Sequence, residues 1–389
     1  MEERNTYRIT SIDILRGLVM IIMALDHTRD FFHITAMTDD PLNLATTTPQ
    51  LFFTRWITHY CAPTFVFLSG TSAYLSSKNK TRGDASSFLI KRGIWLVFIE
   101  MAVITLGLTF NPLYNFIIWQ VIWAIGCSMI LLGLLIRFPF PVIFGAGLLL
   151  FFGHDIFNHI QVPQNGFSGY LVKILFTARG TIMPLPNNHF IGIFYAILPW
   201  TGVMLLGYSA GYWYRREFSA IKRKQLLMGT GLALVLLFLV LRYFNSYGDP
   251  APWDKQHFLS FINTSKYPPS LLYLCMTLGP ALIALSLLEN VHTKWSRVLS
   301  VYGRVPFFYY VLHFYMIHLT LVIVFFATGH STAEIIDPQV PFLFRPARFG
   351  YGLGIVYLVW ISVVALLYLP CRWFNGYKMT HSQWWLKYL

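Results

Sequence analysis

The stretch Arg16–Asp30, RGLVMIIMALDHTRD, opens on an arginine, runs uncharged from Gly17 to Leu25, and ends in a cluster of Asp26, His27, Arg29 and Asp30. An apolar run of this kind suits lipid. Charges placed at both ends of such a segment are costly, so they mark function and need partners. The reading of the whole chain follows from this one.

Scanned outward for runs of about 20 mostly apolar residues, the sequence offers ten candidate spans: 10–31, 53–77, 89–110, 114–136, 138–153, 189–213, 226–243, 268–288, 304–328 and 348–371. The composition agrees, with 56% hydrophobic and only 12% charged residues, against roughly 25% charged in soluble domains. The expected fold is therefore all-α, a polytopic membrane helix bundle of about ten transmembrane helices, forming one integral-membrane domain over residues 1–389. The polar opening MEERNTYRITSID precedes a span too long for a signal-peptide core, so that span is expected to be retained.

The net charge of +13 carries no aromatic-basic stripe or DNA-binding motif, which speaks against nucleic acid. The basic residues cluster instead between spans, over Lys78–Arg92, Arg215–Lys224 and Lys294–Arg304, and in both terminal segments. By the positive-inside rule these face the cytoplasm, with both termini there and segments 154–188, 244–267 and 329–347 outside. Cys61, Cys127, Cys275 and Cys371 fall in separate spans without a CxxC pair, so neither a metal site nor a disulfide framework is expected.

In that orientation Arg16 lies toward the cytoplasm and His27 toward the outer face. Eleven residues make nearly three helical turns, so both side chains share a face about 16–17 Å apart. Asp13 sits one turn before Arg16 and can pair with it. Ser11 reads as the helix cap, and Gly17 leaves room for a ligand or another backbone. An acyl-CoA suits this spacing: its phosphates seek a cation, and its thin pantetheine arm can carry the thioester to the imidazole. The bland alternative is an Arg16 that snorkels to the headgroups and a His27 that caps the interface.

SIDILRGLVMIIMALDH, residues 11–27, resembles the R-x10-H signature of the membrane acyltransferase superfamily, which includes the acyltransferase-3 proteins. APTFVFLSGTSAYL (62–75), LPWTGVMLLGYSAG (198–211) and FFYYVLHFYMIH (307–318) resemble its heparan-α-glucosaminide N-acetyltransferase-like branch, whose bacterial members form a domain family of unknown function. The resemblance implies transfer of an acetyl (acyl) group from cytoplasmic acetyl-CoA to a hydroxyl or amine of a sugar or glycan acceptor across the membrane. A histidine would serve as general base or acyl carrier. The resemblance also implies a homodimer, here placed in a bacterial inner membrane, with no metal. The lysosomal member carries its catalytic histidine farther along the outer segment, which makes His33, in RDFFH, the alternative to His27.

Other polar residues at membrane depth complete the candidate set. His59 reaches a depth comparable to His27, with Pro63 loosening its helix. Asp30 lies one turn beyond His27 and can hold its imidazole, or pair with His33 instead. His313 and His318 share the ninth span, as catalytic and acceptor-binding candidates or as packed histidines. Asp26 and Lys266 are further acceptor-binding candidates, and Asp13, Gly17 and Arg304 join Arg16 for the donor. Glu100, mid-span, needs a partner, with Arg16 or a histidine as candidates. The competing functions are a transporter or flippase of a polar or lipid-linked substrate, and a haem-binding electron carrier.

Overall fold

The computed structural model describes residues 9–158, 166–178, 180–215 and 217–387. Residues 1–8 of the opening segment, and Arg216 of the basic cluster Arg215–Lys224, lie outside them. The chain runs α1 (Thr10–Phe32), α2 (Pro49–Trp56), a 3-10 turn (Ile57–Tyr60), α3 (Cys61–Ser77), α4 (Arg82–Ile99), a π-helical turn (Glu100–Ile104) and α5 (Thr105–Thr109). It continues through β1 (Phe116–Trp119), α6 (Val121–Leu135), α7 (Phe140–Gly153), α8 (Gly166–Val172), β2 (Thr181–Leu185), β3 (His189–Ile193) and α9 (Ile197–Ala210). The last third holds α10 (Ala220–Phe244), α11 (Phe258–Ile262), α12 (Leu271–Leu287), α13 (Lys294–Arg304), α14 (Pro306–Ala327) and α15 (Leu353–Thr380).

The fold is mostly helical, but it is not all-α. The expected spans 114–136 and 189–213 each surrender their first residues to strands, and the three strands form one small sheet ordered β1-β3-β2. β1 runs parallel to β3, with Ile117 opposite Ile191, and β2 runs antiparallel to it. The segments FIIW and HFIGI are rich in β-branched and aromatic residues. Asn187 and Asn188, at φ 60 and 56, supply the left-handed turn between β2 and β3.

Among the described residues, four helices are long and apolar enough to cross a bilayer: Phe140–Phe157, Ala220–Phe244, Pro306–Ala327 and Leu353–Thr380. The helices α6 and α12 are apolar but shorter. α1 is long enough but carries Asp13, Arg16, Asp26, Arg29 and Asp30. Hydropathy and length alone therefore do not reproduce ten spans.

α1 lies inside the bundle, packed against α3, α13, α14 and α15. Ser11 does not cap it; the cap position is Ile9, and Ser11 Oγ donates to Glu289 Oε1 at 2.9 Å. Against α13 the backbones touch: a Cβ on Gly17 would stand 1.9 Å from the Leu299 carbonyl oxygen, and one on Gly303 1.8 Å from that of Asp13. The room at Gly17 is thus taken by another backbone. Gly70 and Gly207 bring α3 and α9 together in the same manner. Pro306 starts α14 with only Val305 between it and the end of α13, where its missing N–H costs nothing.

Glu100 finds neither Arg16 nor a histidine. Its carboxylate accepts the Gln120 backbone N–H at 3.0 Å, at the start of α6, where the helix leaves its first N–H groups unpaired.

Candidate active site

Met23, Asp26, His27 and Asp30 fall at helical spacing on α1, and all four line one cavity of about 1000 Å³. Its other walls come from Arg55 and Thr58, from Cys61, Ala62 and Phe65 at the start of α3, from Gln120 and Val121, and from Tyr195, Lys266 and Tyr267. The segment Asp337–Leu343 covers it on a further side.

The charges inside are organised in pairs. Asp26 accepts from Arg55 at 2.7 Å and from Arg29 at 3.2 Å. Arg29 also reaches Asp30 at 2.5 Å, and Arg55 donates to the Thr58 hydroxyl at 3.0 Å. Lys266, 9% exposed, adds a third cation. Arg29, Arg55 and Lys266 thus share the wall with Asp26, Asp30 and Asp337, and these fixed charges can stabilise charge that develops during a reaction in the cavity.

His27 turns to His313: its Nδ1 stands 2.7 Å from His313 Nε2. His313 Nδ1 lies 3.2 Å from the Tyr309 carbonyl oxygen, which can only accept. In a neutral pair this carbonyl selects the His313 tautomer with its proton on Nδ1. His313 Nε2 is then an acceptor, His27 Nδ1–H donates to it, and His27 Nε2 is left with a free lone pair. Phe314 stacks on the His27 ring at 4.4 Å and fixes its plane.

The remaining sequence candidates divide. Asp26, Asp30 and Lys266 line the cavity with His27. Asp30 is engaged by Arg29, and the recorded imidazole partner of His27 is His313. His59 is fully buried, packs edge-on to Tyr273 at 5.3 Å, and does not line the cavity. His33 ends α1: its Nδ1 meets the Thr35 hydroxyl at 3.0 Å and its carbonyl accepts from Arg345 at 2.7 Å. His318 joins segments, with its ring nitrogens 3.2 Å from the Gly107 and 2.9 Å from the Leu343 carbonyl oxygens, and stacks on Phe110.

Arg16 lies on a second, smaller cavity of about 90 Å³, with Met20, Ser69, Arg92 and Tyr310. Both cavities are lined by Phe65 and Val121, and Met20 and Met23 continue the α1 stripe from Arg16 to His27. Arg16 donates to Ser72 Oγ at 2.7 Å and to the Gly303 carbonyl at 3.3 Å. Asp13 lies 3.7 Å from both Arg16 and Arg304, so it ties α1 to α13. Asp13, Gly17 and Arg304 line neither cavity.

Two site residues escaped the sequence reading. Arg55, in LFFTRWITHY, was not among the candidates, although a cation eight residues before Pro63 in an apolar stretch is itself a signal. Arg92 sits in a basic cluster that topology alone accounts for, yet its Nε is buried and has no hydrogen-bond partner among the described residues.

Apolar helices wrapped around a buried polar cavity define an integral membrane protein of the helical class. The family described as heparan-alpha-glucosaminide N-acetyltransferase, catalytic, matches residues 8–240, more than half of the chain. The chain belongs to that family, one of membrane acetyltransferases. No curated protein matches the chain. The matched region holds Arg16, His27, Arg55 and Arg92, whereas Lys266 and His313 lie beyond it.

Proposed function

We propose that this protein transfers an acetyl group from acetyl-CoA to a hydroxyl or amine of a sugar or glycan, with His27 at the reacting centre. The observation that carries the reading is the His27–His313 contact of 2.7 Å, with the Tyr309 carbonyl behind it. It leaves Nε2 of His27 as the free base on the residue that lines the cavity.

As general base, His27 Nε2 takes the proton from the acceptor, whose oxygen or nitrogen attacks the thioester carbonyl. The tetrahedral intermediate collapses, the carbon–sulfur bond breaks, and the CoA thiolate leaves and takes the proton back from His27. As nucleophile, His27 Nε2 forms the acyl bond first, expels the thiolate, and then passes the acetyl group to the acceptor. In both routes His313 holds the tautomer and shares the positive charge, while Lys266, Arg29 and Arg55 favour the developing oxyanion.

Donor entry past Arg16 is supported by the two cavities along α1, and the narrow inner one suits a pantetheine arm. Arg16 and Arg92 then meet the anionic part of CoA from the cytoplasm, and the acceptor occupies the outer cavity beside Asp26 and Lys266. The basic clusters between spans support cytoplasmic termini and a place in a bacterial inner membrane. A homodimer is the expected working unit.

Acetyl-CoA binding and CoA release by the purified protein test this function. Wild type is expected to bind and release CoA, Arg16→Ala to lose binding, and His27→Ala to bind without turnover. Folded wild type that binds no acetyl-CoA would favour the transport alternative.

A further inference from the structure

A third cavity, of about 310 Å³, lies away from the acetyl-transfer site, where several helices end together. Tyr74, Ser77 and Lys78 close α3, Arg82 and Ala85 open α4, Ile136, Phe138, Phe140 and Ile143 join α6 to α7, and Tyr208, Tyr212 and Arg215 end the α9 segment. It shares no lining residue with the other two cavities, and on α3 Tyr74 and Lys78 lie about 120–180° around the helix from Ala62, Phe65 and Ser69, given 100° per residue. This space therefore does not continue the donor route.

Four cations, Lys78, Lys80, Arg82 and Arg215, line it, and no carboxylate does. Glu217 is the acid in electrostatic reach of Arg215. Arg215 is held in place from two sides: its Nε donates to the Tyr74 hydroxyl at 2.6 Å, and its guanidinium lies 4.4 Å from the centre of the Tyr212 ring. Tyr74 is itself buried and packed edge-on to Tyr208 at 5.2 Å. A fixed guanidinium flanked by lysines is a receptor for phosphate. Around the rim, large apolar rings are exposed: Phe138 at 54%, Phe140 at 37% and Tyr212 at 36%. A soluble anion has no use for them, whereas acyl chains do.

We propose that this cavity binds the headgroup of an anionic phospholipid, with the phosphate on Arg215, Arg82, Lys78 and Lys80 and the acyl chains against Phe138, Phe140 and Tyr212. Basic pockets between membrane helices are suited to such headgroups. The ends of α3, α4 and α9 are tied together by one lipid, so the site is structural and independent of the acetyl-transfer chemistry.

The test is native mass spectrometry of the full chain released from nanodiscs of phosphatidylcholine with phosphatidylglycerol. Wild type is expected to retain phosphatidylglycerol over phosphatidylcholine. The variant K78A/R82A/R215A is expected to lose that preference by about tenfold or more. A charge-matched control, K222A/K224A/K294A, removes basic residues that do not line the cavity and is expected to behave as wild type. Melting curves confirm that each variant is folded. Equal loss in the control would overturn the proposal in favour of general surface charge, as would displacement of the lipid by inorganic phosphate. Retention by the folded cavity variant would overturn it as well.

Discussion

His313 lies 286 residues after His27 in the chain, yet Nε2 of the one stands 2.7 Å from Nδ1 of the other. The two rings are nearly parallel, at 24°, with centroids 5.0 Å apart. α1 and α14 thus contribute one half each of a single proton-sharing unit. The wall of charges around it, Asp26 with Arg29 and Arg55, is built by α1 and α2. The His27–His313 contact therefore forms only when the first and the penultimate long helices have packed.

The Asp26–Arg55 pair is buried on both sides, with side-chain exposures of 11% and 10%. Removing one partner strands the other, so Arg55→Ala is expected to cost about 3–5 kcal/mol. The double replacement Asp26→Leu/Arg55→Met removes both charges and leaves Arg29 its contact with Asp30. It is expected to recover most of the stability. Thermal unfolding in one detergent compares the variants, and a double variant as unstable as Arg55→Ala would contradict a simple pair.

Gly17 and Gly303 set the spacing of α1 and α13. A methyl group at Gly17 meets the Leu299 backbone at 1.9 Å, so Gly17→Ala must push α13 away and is expected to cost about 1–3 kcal/mol or more. Because Arg16 donates to the Gly303 carbonyl, the same variant is expected to raise KM for acetyl-CoA. Gly229, with nothing within 4 Å of its added Cβ, is the control. Gly229→Ala is expected to be neutral or stabilising by about 0.5–1 kcal/mol. Equal melting temperatures for the two variants would rule out the close crossing.

His33, at the C-terminal end of α1, carries a pH dependence. Burial pushes its imidazole below the ordinary value, and the Arg29 and Arg345 guanidiniums add to this. The folded protein thus favours neutral His33, so its contribution is present above the unfolded value of 6.5 and is lost as pH falls through the lower, folded value. Stability is expected to drop between neutral and acidic pH, and His33→Asn to flatten that drop. Melting curves at pH 5 and pH 7.5 measure the difference; an unchanged slope would assign it to other groups.

The long apolar helices were legible in the sequence, and Arg16, His27 and His313 stood out there because a charge or imidazole in an apolar run has no cheap explanation; the structure places Arg16 and His27 on cavity walls and His313 against His27. Pro63 was expected to loosen its helix; the departure from α-helix lies just ahead of it, in the 3-10 turn Ile57–Tyr60. The pairing of His27 with His313 was not legible, since local spacing carries no information about contacts between distant helices. Asp30 was the nearer candidate by helical periodicity, but Arg29 takes it. The sheet was missed because short apolar runs such as FIIW read equally as helix or strand, and only the PNN turn marked the difference. Gly17 signalled a close approach, and only the fold identified α13 as what approaches.

The central claim is that His27 and His313 act as one unit, and a double-mutant cycle in CoA release tests it most directly. His27→Ala and His313→Gln are each expected to lower kcat by about 10²–10⁴ with little change in KM for acetyl-CoA. The double variant is expected to be no slower than the slower single variant, as for residues that share one role. A His313→Gln protein that keeps full activity, or losses that multiply in the double variant, would contradict the account.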